Sequence, residues 1–236
     1  MDDTAEKRIQ ELEQGLQAAR EELQFFVYAA GHDLQQSLRA VTTHAQLLRR
    51  ECPDSERARE ITDVIVAGAA QMNTLVTALV AYSRLTGAPD RRYVPLSVPL
   101  DYALYKLSGA IRDAGAEVHK AELPETAADE NQMATVFEHL ISNSLKFRGT
   151  KPPRVEISSE ASDDFHAISV RDNGCGIRPE YHEQVFLPFK RLHGREIPGT
   201  GLGLALCRKI VRAHEGRIWV ESDGSSGTTV RFTLPQ

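Results

Sequence analysis

Apolar positions recur along the first third of the chain in a regular rhythm. Ile9, Leu12, Leu16, Ala19, Leu23, Phe26 and Ala30 follow alternating steps of three and four, flanked by Glu, Lys, Arg and Gln. That spacing predicts a helix carrying a coiled-coil seam. The steps to Leu34 and then Leu38 are four each before Val41, Ala45 and Leu48 resume the rhythm, so the seam drifts and locally alters the supercoil. Beyond the break at Cys52-Pro53-Asp54-Ser55, the residues Ile61, Ile65, Gly68, Met72, Leu75, Leu79 and Tyr82 repeat the pattern. Two helices of similar length joined by a short turn predict an antiparallel hairpin. Its apolar stripe exceeds what one hairpin can cover, so two copies are expected to pair into a four-helix bundle.

The Pro- and Gly-rich segment "TGAPDRRYVPLS" ends this periodicity and marks a boundary. After it the texture becomes mixed. Residues 98–114 are expected to be helical, "EVHKAEL" extended, and 129–147 a helix opened by Asp129 or Asn131 as cap. Strand patterns follow at "RVEISSE", "FHAISVRD", "GRIWVES" and "TTVRFTLP"; in the last, Val230, Phe232 and Leu234 alternate with Thr229, Arg231 and Thr233. "LGLALCRKIVRAHEG" reads as a helix ended by Gly216. Helices on one face of a sheet make an α/β sandwich.

Composition narrows the function classes. Residues 1–85 carry 13 acidic and 9 basic side chains, within a net charge of −5, and no basic face emerges, so nucleic-acid binding has little electrostatic support. The three cysteines, Cys52, Cys175 and Cys207, match neither a disulfide framework nor a zinc site. The charged N-terminus is no secretory leader and no membrane span is expected, so a cytoplasmic location is.

Five stretches carry candidate chemistry. In "AAGHDLQQSLR", His32 lies two positions from each of Ala30 and Leu34, pointing it away from that stripe toward solvent. It is either an idle surface residue or one awaiting a partner. In "FEHLISNSLKF", helical spacing puts His139, Asn143, Lys146 and Phe147 on one face. A carboxamide oxygen there suits a cation and an ammonium suits a polyphosphate, although an outer polar stripe has the same pattern. "RDNGCGI" is a strand-end turn in which Asp172 can accept from an amine while Gly174 and Gly176 admit a flat ring. "EYHEQVFLPFKRL" places Phe186 and Phe189 at helical spacing, with Lys190 and Arg191 beyond. In "PGTGLGLALCRKIV", Gly199, Gly201 and Gly203 lead into an apolar helix whose N-terminal N–H groups suit an anion.

Together and in this order, the stretches resemble a sensor histidine kinase of a two-component system, of the phytochrome- or PAS-linked type. The fold this implies is α followed by α/β: a helical-hairpin dimerisation and phosphotransfer domain (26–86), then an α/β sandwich ATP-binding domain (98–236) like that of gyrase, Hsp90 and MutL. Residues 1–25 would be a coiled-coil connector helix to an upstream sensor domain outside this chain, and 87–97 a linker. By resemblance His32 is the phospho-accepting nucleophile and Asp33 orients its ring, although neighbouring helix positions do not face each other. ATP would be held by His139, Asn143, Lys146, Phe147, Asp172, Gly174, Gly176, Ile177, Lys190, Arg191, Gly199, Thr200, Gly201, Leu202, Gly203, Leu204 and Thr228, with Asn143 coordinating Mg2+ and residues 190–200 forming a lid. The implied partners are a second copy of the chain and a response-regulator receiver domain. Ser37 stands where this family usually has proline, implying a milder helix kink, and His139 where it more often has asparagine. An ATPase that drives conformational change and a non-catalytic scaffold are the alternative readings.

Overall fold

Two helices account for the first unit of the chain, Met1–Gly87, and a sheet layered with helices for the second, Ala88–Gln236. The computed structural model describes residues 3–84, 88–162, 164–192, 197 and 199–236.

Helix α1 (Asp3–Glu51) runs unbroken for 49 residues, so the expected connector and the first arm of the hairpin are one element. At Ser37 the hydroxyl donates to the Asp33 carbonyl at 3.0 Å, the carbonyl a proline ring would displace; α1 stays helical there. The chain turns at Pro53, the Ser55 hydroxyl accepts the Ala58 N–H at 3.2 Å as an N-cap, and α2 (Glu56–Arg84) returns. Gly31 and Ala45 of α1 and Thr62 and Ala69 of α2 are buried between the helices. Polar pairs tie the same interface: Gln35 Nε2 donates to Thr77 Oγ1 at 3.1 Å, and Arg49 pairs with Asp63 at 2.8 Å.

The inner face of α1 therefore differs from the seam read in the sequence. Leu16, Leu23, Phe26, Leu34, Val41 and Leu48 are exposed, as are Ile61, Ile65 and Met72 of α2. Part of the seam closes the hairpin, with Ala45 buried and Ala30 and Leu38 half-buried, and its larger residues form an exposed apolar stripe beside that contact. Ile9 and Leu12 lie outside the residues whose side chains are described. The expectation of no membrane-length segment also needs correction. Within α2, Glu56–Ser83 is long and apolar enough by length and composition to cross a membrane, because no charge falls between Val64 and Ser83. Thr62 and Ala69 are the buried residues of this segment, and most of its apolar side chains are exposed or half-buried.

In the second unit, β2 (Glu117–Lys120), β4 (Arg154–Ala161), β5 (Phe165–Asp172), β7 (Thr229–Pro235) and β6 (Ile218–Glu221) lie side by side in that order. Only the β2–β4 pair is parallel. Alternation sets the faces: Val155, Ile157, Ile168, Val170, Val230, Phe232 and Leu234 point inward onto the helices, whereas Glu156, Ser158, Arg171 and Arg231 point out. Helices α3 (Ser97–Lys106), α5 (Glu130–Lys146) and α6 (Gly203–Ala213) cover the inner face, with Phe137 of α5 edge-on to Phe232 at 5.9 Å.

Four sequence expectations change here. The helix expected over 98–114 is two, α3 and α4 (Ser108–Ala114), broken at Leu107. The segment expected as a linker contains strand β1 (Arg92–Pro95), which pairs with β3 (Glu125–Ala128); its short alternating run is completed only by a partner distant in sequence. The Phe186–Phe189 stretch forms short 3-10 turns rather than a helix, burying Phe186 and leaving Phe189 exposed at φ 62°. At the end of α6 it is Glu215, not Gly216, that takes the left-handed conformation, at φ 62°.

Candidate functional site: a nucleotide cleft and an exposed histidine

Residues expected at the cleft converge where the end of α5 meets the ends of β5 and β7. Asp129 caps α5, accepting the Gln132 N–H at 3.1 Å, and the helix then carries Asn143, Ser144 and Lys146 to its last turn. Asp172 ends β5. Its Oδ1 accepts the N–H groups of Gly174 at 2.9 Å and Thr228 at 3.1 Å, and its Oδ2 accepts the Ser144 hydroxyl at 3.2 Å. Burial pushes this carboxyl above the ordinary aspartate range, and the three donors pull against that. The result is a fixed carboxylate with one oxygen only half used, a suitable acceptor for a ring amine. Ser144 has no signature in the sequence reading; its hydroxyl meets Asp172 only because α5 crosses the end of β5.

Glycines bring backbone close on both sides of that carboxylate. A Cβ at Gly174 would overlap the Phe147 carbonyl oxygen, and the next N–H, of Cys175, donates to that oxygen at 3.0 Å. Gly176 adopts φ 76°, and a Cβ there would sit 2.6 Å from the Ser225 nitrogen. Ile177 donates its N–H to Ser222 Oγ at 2.9 Å, and Ser222 Oγ in turn donates to the Gly227 carbonyl at 2.6 Å. The turn, the last two strands and the end of α5 are thereby sewn into one rim.

The anion side is built at the start of α6. Leu202, buried, precedes the helix, and its N–H is held by Thr200 Oγ1 at 3.2 Å. Gly201, at φ 72°, presses on the Phe189 and Lys190 backbone, so the end of the aromatic stretch and the second glycine stretch meet. Gly203 opens α6 against the His139 imidazole, whose Nδ1 would lie 3.2 Å from an added Cβ. Burial holds the His139 pKa below the ordinary histidine range; Lys146 and Lys106 reinforce this and Glu138 opposes it. The Asn143 carboxamide has no hydrogen bond among the described residues, Lys146 is exposed, and Leu204 is half-buried. A free carboxamide oxygen beside a glycine-lined helix start fits an oxygen-preferring divalent cation carried on a polyphosphate. Arg191 donates to the Ile197 carbonyl at 2.7 Å, Lys190 and Gly199 are exposed, and residues 193–196 and 198 of the expected lid lie outside the described residues.

His32 stands in the hairpin unit with its side chain 52% exposed. Its direction is not set by opposition to Leu34, which is itself exposed at 53%; the inward residues are its neighbour Gly31 and, one turn on, Gln35. Asp33 reaches back along α1 so that its Oδ1 lies 3.6 Å from His32 Nδ1, a contact that spacing along a helix does not predict. On the other nitrogen, Nε2 lies 3.5 Å from the Gln36 amide.

Residues 128–236 match the family described as histidine kinase-, DNA gyrase B-, and HSP90-like ATPase, and residues 22–88 match the His Kinase A (phospho-acceptor) domain. The chain is 36% identical to the phytochrome-like protein Cph1 of Synechocystis sp. over 97% of its own length and 31% of that protein's. It is 39% identical to cyanobacterial phytochrome A of Nostoc sp., over 95% and 30%. It thus spans about a third of the curated relatives it matches. The solved structure of histidine kinase ThkA in complex with response regulator protein TrrA shares the fold, with a TM-score of 0.66 and 21% identity over 99% of this chain and 68% of the other. With a phospho-acceptor hairpin followed by an ATPase-type sandwich, and relatives that share both, the chain belongs to the sensor histidine kinases of two-component systems.

Proposed function

We propose that the chain is a kinase core that transfers the γ-phosphoryl group of ATP to His32 and from there to an aspartate of a response-regulator receiver. The observation that carries this reading is His32 itself: an exposed imidazole with a carboxylate 3.6 Å from Nδ1, while Nε2 faces only the Gln36 amide at 3.5 Å on the surface of a helix. Asp33 favours the tautomer that keeps the proton on Nδ1 and the lone pair on Nε2. Nε2 forms the new bond to phosphorus as the bond to the bridging oxygen breaks and ADP leaves. The positive charge left on the ring is then balanced by the Asp33 carboxylate beside Nδ1.

In the second unit Asp172 receives the adenine amino group, a charge-assisted hydrogen bond worth about 1.5–3 kcal/mol, and Gly174, Gly176 and Ile177 let the ring approach. Phe147 packs on the base and Thr228 helps to hold it. Lys190, Arg191 and Thr200 stand at the phosphate side, where the N–H groups at Gly201 and Gly203 meet the phosphates with Lys146. Asn143 would bind Mg2+, which when present offsets charge on the phosphate oxygens. The exposed apolar stripe of α1 pairs two copies into a bundle. Residues 1–25 connect to an upstream sensor domain, and the protein works in the cytoplasm. The ThkA–TrrA complex supports a receiver domain as the phosphoryl acceptor.

Incubation with γ-labelled ATP and Mg2+ tests this. The parent chain takes up acid-labile, base-stable label, and both His32→Gln and Asn143→Ala lose it. Phosphate release with no label on the protein would replace the kinase with an ATPase.

A further inference from the structure

At Gly31, immediately before His32, α1 packs too closely on α2 to admit a side chain, and its neighbours form a small, register-specific latch. It is buried, and a Cβ built on it would lie 2.5 Å from Val80 Cγ2 and 3.5 Å from Val76 Cγ1. One turn further along α1, Gln35 Nε2 reaches across to Thr77 Oγ1 at 3.1 Å, while Thr77 Oγ1 donates to the Asn73 carbonyl at 2.9 Å. Glycine in a helix interior is disfavoured relative to alanine, so its place here opposes local propensity. The other two glycines in the hairpin helices, Gly15 and Gly68, meet nothing within 4 Å.

We infer that Gly31 is a positioning residue for phosphoryl transfer. Seated against Val76 and Val80 and backed by the Gln35–Thr77 hydrogen bond, it fixes the rotation of α1 about its axis at that level, and so the direction in which the next residue presents Nε2. The Val80 contact sets the distance between helices and the hydrogen bond sets the axial register, as an isolated polar pair does in coiled coils. Turning α1 by a fraction of a step would swing the imidazole away while leaving it solvent-exposed. This role rests on His32 being the phosphoryl acceptor.

The test compares the parent chain, Gly31→Ala, and Gly31→Ala with Val80→Ala, all as the full chain. Three quantities are read: label taken from γ-labelled ATP, affinity for ATP, and chemical phosphorylation of His32 by phosphoramidate, a small donor that needs no second unit. Gly31→Ala is expected to take label from ATP about tenfold more slowly or worse, in line with the steep cost of a misplaced reacting group. Its ATP affinity and phosphoramidate labelling stay at parent values, and Val80→Ala, which clears space for the new methyl, restores the rate. Helix content and the thermal unfolding midpoint of Gly31→Ala, read by circular dichroism, stay at parent values; a loss of label that comes with a loss of helix would make Gly31 a packing residue and overturn the inference. Parent-like labelling in Gly31→Ala, or a loss that Val80→Ala leaves in place, would overturn the inference. A parent chain that takes no label from ATP would overturn both this role and the function on which it depends.

Discussion

Asp172 and His214 are both held by fixed donors and acceptors, with opposite consequences. Asp172 keeps a half-used oxygen at the cleft, whereas His214 is fully buried with both ring nitrogens engaged: Nε2 accepts the Asp129 N–H at 3.0 Å and Nδ1 meets the Ile210 carbonyl at 2.9 Å. An N–H donor on one nitrogen and a carbonyl on the other require a neutral ring protonated at Nδ1. Burial lowers the His214 pKa, Arg91 adds to that, and the Ile210 carbonyl and Asp129 oppose it. The unfolded chain therefore binds a proton more readily than the native one below the ordinary histidine range near 6.5. Stability is full above that range and falls as pH drops toward the lowered native value. Thermal unfolding at pH 7.5 and 5.5 should show this loss in the parent, and a smaller one in His214→Gln, where the remaining share comes from His139. An equal loss in both would mean that His214 contributes nothing. His214 ties the end of α6 to the cap of α5, the helix that carries Asn143, and nothing in its local sequence signals this.

At the level of elements, most helices and strands follow from periodicity because their apolar residues repeat at 3.6 or 2 positions. The strands over Arg154–Ala161, Phe165–Asp172 and Thr229–Pro235 are of this kind. The exceptions are elements whose shape is imposed from outside. Strand β1 exists through its pairing with β3, and the 3-10 turns around Phe186 close against α6. The C-terminus of α6 is a third case. Gly216 is there for closeness, not for left-handed geometry: a Cβ would overlap the Thr233 carbonyl oxygen and lie 2.9 Å from Val211 Cγ1. Gly216→Ala should cost about 1–3 kcal/mol, as overpacking does, and lower the unfolding temperature of the chain by several degrees. An unchanged melting curve would show that the β7 end gives way freely.

For the whole molecule, the exposed stripe Leu16, Leu23, Phe26, Leu34, Val41 and Leu48 is too extensive for scattered surface residues and recurs in coiled-coil steps. A second copy covering it would make the four-helix bundle expected from the sequence. Val41→Glu with Leu48→Glu should therefore leave ATP affinity unchanged and halve the mass measured by light scattering; an unchanged mass would place the dimer contact elsewhere. The sequence by itself determined the two-part plan, the hairpin and the glycine and asparagine stretches of the cleft, because periodicity and short motifs are local and survive without knowledge of neighbours. It also pointed His32 toward solvent, but from a stripe whose Leu34 is itself exposed; the packing at Gly31 and Gln35 sets that direction. Only the tertiary structure decided which residues of the apolar seam close the hairpin and which stay exposed, and that Asp33 folds back onto His32 Nδ1. Only there do Ser144 and Thr228 lock the Asp172 carboxylate, with Gly31 buried against Val76 and Val80 beside the histidine. Each of these depends on distances between residues far apart in the chain or on side-chain direction, and a one-dimensional pattern encodes neither.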